Sequence, residues 1–133
     1  MKLLLSALAL AAMIGPAFSQ ETSTAKPNPP VLKETTTDFP KGDELEYRVL
    51  TATVEPGTFS PWHTHSTPVA VYVVSGTFTL EIEGQDSKSI TAGESLLEGV
   101  GVKVRAANHG SEPASVVIFQ VSGPEAPFMT PTK

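Results

Sequence analysis

From Leu45 to Val121, turn-forming residues cut the chain about every 8–12 positions, leaving pieces too short for ordinary helices and the right length for strands. The pieces also have the period of strands. In Thr77–Glu83, Phe78, Leu80 and Ile82 alternate with Thr77, Thr79, Glu81 and Glu83, so one face is apolar and the other polar. Leu45, Tyr47, Val49 and Thr51 share a face in the same way, opposite Glu46, Arg48 and Leu50. Val69–Val74 is apolar and β-branched, as strands favour. Further extended pieces are expected at Thr58–His65, Lys88–Thr91, Ser95–Glu98, Val102–Ala107 and Ser115–Val121. Three threonines in Val31–Thr37 suggest an additional edge strand. No helical pattern follows residue 19. The expectation is a single all-β domain, an antiparallel barrel or double-sheet jelly roll.

The two ends read differently. Lys2, the apolar run Leu3–Ile14 and the small residues Ala17 and Ser19 have the pattern of a secretory leader over residues 1–19. The run is well short of the ~20 residues that span a bilayer. The chain is therefore expected to be secreted or periplasmic, with no membrane association once the leader is removed. Residues 20–40 are rich in Pro and Thr and read as a flexible segment before a barrel at 41–123. Residues 124–133 form a Pro-rich tail, expected to be only loosely pinned. There are no cysteines, so neither disulfides nor a thiolate metal site is available. The formal charge is −5, without a basic cluster, which argues against nucleic acid as a partner.

The chemistry concentrates in GTFSPWHTHSTPVAVYVVSG, Gly57–Gly76. His63 and His65 lie two positions apart, so in a strand both imidazoles enter the same space. Two imidazoles on one face are half of a typical divalent-metal site.

The spacing of Gly57, His63, His65 and Gly76 resembles the first signature of the cupins, and Gly93, Gly99, Gly101, Val104 and Asn108 resemble the frame of the second. The resemblance spans about Leu45–Val121. It implies a β-barrel with a metal at its centre, held by three histidines and a glutamate. Carried over position by position, it keeps His63 and His65 but puts Val69 where the glutamate stands and Val104 where the third histidine stands. Both replacements suit an inward apolar wall. It also makes a homodimer the expected assembly.

A third ligand then has to come from elsewhere. With Val102, Val104 and Ala106 inward, His109 points away, and Glu81 lies opposite Phe78, Leu80 and Ile82. Arg105 and Tyr72 are also turned outward by alternation, Arg105 into solvent. Glu98, followed by Gly99-Val100-Gly101, is the best remaining candidate, since glycines allow the chain to be re-aimed. Two functions follow. One is a small-molecule or weak metal binding barrel using His63 and His65, with Trp62, Val69, Phe78, Leu80 and Val104 lining the pocket. The other is a metal-dependent enzyme, dioxygenase- or isomerase-like, with Glu98 as a non-standard third ligand. The metal in either would be Fe, Mn, Ni or Zn as a divalent ion, all of which imidazole-and-oxygen sites accept.

Overall fold

A computed structural model describes residues 25–133. The expected leader at 1–19 lies outside the described residues. Nine strands follow in order: β1 (Glu46–Val54), β2 (His63–Thr64), β3 (Val69–Ser75), β4 (Thr77–Ile82), β5 (Lys88–Thr91), β6 (Ser95–Glu98), β7 (Val104–Ala107), β8 (Ala114–Ser122) and β9 (Thr130–Pro131). They form two antiparallel sheets, one in the order β1-β8-β3-β6 and one in the order β5-β4-β7-β2-β9. The described residues contain no helix, and none is long and apolar enough to cross a membrane.

Alternation decides what each sheet buries. Val69, Val71 and Val73 of β3 are buried, as are Phe78 and Leu80 of β4, Leu96 of β6, Val104 of β7 and Val116 of β8. Each such side chain contributes about 1.5–3 kcal/mol on full burial. A core of this kind holds the two sheets together without disulfides, of which there are none.

The turn between β3 and β4 depends on Gly76. Its φ is +76°, and a Cβ placed there would lie 2.3 Å from the Pro113 carbonyl oxygen and 2.9 Å from the Ala114 Cα. Left-handed backbone costs an L-residue roughly 1–2 kcal/mol, and forcing atoms into packed surroundings adds about 1–3 kcal/mol. Gly76→Ala is expected to lower unfolding free energy by about 3 kcal/mol in urea titrations. Gly84, at φ +72° with nothing within 4 Å of its would-be Cβ, is the control. Its alanine variant should lose only about 1 kcal/mol, the conformational part alone. Equal losses would show that the Pro113 approach has no consequence.

Two expectations fail at the ends. Val31–Thr37 forms no strand; it is irregular, with bends at Val31 and Thr37. β-propensity reflects packing against a partner strand, and this segment has none. The C-terminal tail, by contrast, is tied down. Thr130 pairs with Thr64 and Pro131 with His63, and the Thr132 amide donates to the Trp62 carbonyl at 2.9 Å. Proline is tolerated there because β9 is an edge strand.

Candidate metal centre

β2 and the residue after it deliver both histidines inward. His63 lies in β2 opposite Val104 of β7, and His65 forms an isolated bridge with Val100. The rings are 4.9 Å apart between centroids and nearly perpendicular, at 85°. Glu98 arrives from the other sheet. In β6, Leu96 and Glu98 are buried while Ser95 and Leu97 are less so, which puts Glu98 on the inner face at the end of the strand. Its direct partner across the ladder is Val69 of β3.

His63, His65 and Glu98 are 5 %, 2 % and 6 % exposed. Each offers a donor atom within 4.8 Å of the others, and among the described residues they are the one such group of three or more. Donors about 2 Å from a shared ion stand roughly 3–4 Å apart, so the cluster is close to that span.

Backbone carbonyls fix which nitrogen each ring presents. His63 Nδ1 is 2.8 Å from the Pro61 carbonyl oxygen, and His65 Nδ1 is 2.8 Å from that of Phe128. A carbonyl only accepts, so both Nδ1 atoms carry the proton and donate. In the neutral rings, Nε2 is then the lone-pair donor. His65 Nε2 stands 2.9 Å from Glu98 Oε2, whereas the described residues give His63 Nε2 no hydrogen-bond partner. The Phe128 carbonyl also accepts from Gln120 Nε2 at 3.1 Å, and Gln120 Oε1 accepts from Arg48 at 3.3 Å. The tail is therefore joined both to a histidine of the cluster and to the β1–β8 sheet.

The cluster opens into a cavity of about 330 Å³. Val69 and Phe78, both expected in the pocket, line it. Leu80 and Val104 do not; both are packed in the core. Trp62 faces the opposite way from its neighbour His63. It lies outside the cavity, with the Arg105 guanidinium 4.8 Å from its ring and Lys103 Nζ at 5.8 Å. Arg105 is also less solvated than its parity suggests. It stacks on Phe59 at 4.3 Å and donates to Glu81 at 2.5 Å, and His109 lies 2.8 Å from the same carboxylate. These hydrogen bonds from Arg105 and His109 hold the Glu81 carboxyl below its ordinary value. Glu81 and His109 thus pair with each other on the outside, away from the cluster. Sequence reasoning had no sign of the Phe128 carbonyl, or of Phe128 and Met129 on the cavity wall.

A family model described as "Cupin domain" matches residues 50–120. No curated protein sequence matches the chain. Among solved structures, the chain is similar to an RmlC-like cupin family protein with a double-stranded β-helix fold from Methanocaldococcus jannaschii. The identity is 21 % and the TM-score 0.52, over 62 % of this chain and 71 % of that one. It is also similar to an uncharacterised double-stranded β-helix protein from Klebsiella pneumoniae, with 22 % identity and a TM-score of 0.54, over 71 % and 90 % of the two chains. A third is the polyketide cyclase RemF from Streptomyces resistomycificus, with 17 % identity and a TM-score of 0.55, over 65 % and 61 %. At these identities the likeness speaks for the fold alone, the double-stranded β-helix.

Proposed function

Since the matching model spans more than half of its length, this chain belongs to the cupin family, and on that premise we propose that it is an exported metal-binding cupin. In this reading His63, His65 and Glu98 hold one divalent cation beside the cavity, and the cavity binds a small molecule. One observation carries the reading: three buried donors converge while both histidines are locked, through Nδ1, in the tautomer that presents Nε2. Two imidazoles and a carboxylate are a donor set that Fe(II), Mn(II), Ni(II) and Zn(II) accept, and three protein ligands leave positions open. A cation held there would supply Lewis acidity toward a donor atom of the bound molecule. The chain's own residues do the rest. Pro61 and Phe128 orient the rings, Glu98 supplies the negative charge, and the apolar walls keep water away. The leader pattern at residues 1–19 supports export.

The second reading is a barrel that works without metal, favoured by the 2.9 Å approach of His65 Nε2 to Glu98 Oε2, where one shared proton would make a hydrogen bond in place of a cation. Elemental analysis separates the two. The chain from residue 20 onward, purified without a histidine tag, should carry close to one divalent metal per chain. The His63→Ala/His65→Ala variant should carry none. Absence of metal from both proteins, even after dialysis against each of the four ions, would overturn the metal reading.

A further inference from the structure

The cavity beside the cluster restricts what could bind there; this inference rests on the metal reading above. An engineered apolar cavity of roughly 150 Å³ holds one benzene ring, so about 330 Å³ admits the bulk of two fused rings. Val54, Val71, Val116, Ile118, Phe78 and Phe128 make the walls apolar. Among the described residues, His63, His65 and Glu98 are the only titratable side chains on them. The cations nearest in sequence to these walls, Lys103 and Arg105, lie over Trp62 and Phe59 and are paired with Glu83 and Glu81. Of the three hydroxyls on the lining, Thr53, Thr58 and Ser60, the last two are engaged with backbone. Thr58 Oγ1 donates to the Glu55 carbonyl at 2.8 Å, and Ser60 Oγ donates to the Pro61 carbonyl at 3.1 Å and accepts from the Ala106 amide at 3.0 Å.

Charge balance narrows the choice further. Two neutral imidazoles and one carboxylate leave a divalent cation with one uncompensated positive charge. A ligand bearing one anionic or ionisable oxygen meets that charge. A second negative charge would be buried against apolar walls with no partner, which is costly. We propose that the cavity takes an aromatic molecule of about two fused rings with a single oxygen donor, its body against the apolar walls and its oxygen toward His63, His65 and Glu98. Phosphates, polycarboxylates and sugars are excluded by the same features.

The test is a calorimetric titration of three probes, naphthalene, 2-naphthol and naphthalene-2,6-dicarboxylate, into metal-free and Co(II)-loaded protein. The visible cobalt bands are recorded in parallel. Naphthalene and 2-naphthol should bind metal-free protein with similar affinity. Cobalt loading should strengthen 2-naphthol by about tenfold or more, move the cobalt bands, and leave naphthalene unchanged. The second carboxylate of naphthalene-2,6-dicarboxylate should weaken it about tenfold or more relative to 2-naphthol. Failure of both uncharged aromatics to bind, or equal binding of the dicarboxylate, would overturn the proposed ligand class. A protein that takes up no cobalt yet binds the aromatics in that order would overturn the metal reading and keep the ligand class.

Discussion

Glu98→Val is expected to weaken divalent-metal binding by about 100-fold or more, and adding Val69→Glu to it should return most of the loss. Losing an outer partner of a metal ligand typically costs about 10–100-fold, and Glu98 is proposed as a ligand itself. The rescue follows from the ladder. Val69 and Glu98 are direct partners across β3 and β6, both buried and both on the cavity wall. Side chains so paired have Cβ atoms about 4.5–5.5 Å apart, within reach of a carboxylate changing strands. The position that the cupin resemblance gives to glutamate is thus occupied by valine, while the carboxylate comes from its neighbour. Competition with a chromophoric chelator would measure both variants. Undiminished affinity in Glu98→Val would show that this carboxylate does not hold the cation. A double variant no better than the single one would show that position 69 does not reach it.

Asn108→Asp is expected to be the most destabilising single polar change in the domain, at about 4 kcal/mol or more. Asn108 is buried, and its Nδ2 donates to the carbonyls of Val54 and Glu112, each at 2.8 Å. Its Oδ1 accepts from the Gly110 amide at 2.8 Å. Its backbone bonds Gly57 and Thr58, so one residue joins the end of β1, the loop before β2 and the turn after β7. Aspartate has no N–H, so the carbonyls of Val54 and Glu112 would lose their donor, and a buried carboxylate would face them, which is the larger cost. A loss of that size lowers the melting temperature of a domain of about 60–100 residues by roughly 4–8 °C per kcal/mol. Thermal unfolding followed by circular dichroism would measure it, with Asn108→Ala as the variant free of the added charge. Because Val54 and Thr58 line the cavity, Asn108→Ala should also loosen its rim. A melting temperature within a few degrees of the native value for the aspartate variant would remove Asn108 from this structural role.

The barrel was legible because local pattern and global fold agree from β3 to β8. Alternation marks the strands, and glycine or proline marks the turns. The same parity put His63 and His65 side by side and kept Glu81 and His109 outside. Applied one residue further, it also places two residues that the sequence reading handled differently. Trp62, next to His63, must face outward, although a lone tryptophan in an apolar setting suggests core. Glu98 shares the face of Leu96, although the glycines after it make the strand end look indeterminate. What sequence cannot supply is contact between distant backbone. Val31–Thr37 has the residues of a strand and no partner. The tail has the residues of a loose end, yet it is held through the carbonyl of Phe128 and the short pairing of β9. Neither interaction leaves a trace in side-chain pattern.

On the metal reading, the hydrogen bond from His65 to Phe128 also bears on when the site is completed during biosynthesis. His63, His65 and Glu98 leave the ribosome well before Phe128, and β1 to β8 can pair without it. Until Phe128 docks, the bond that holds the His65 proton on Nδ1 is missing, Glu98 is the ring's remaining partner, and the cavity lacks part of its wall. On the metal reading, the complete cation site would exist only once the tail has docked.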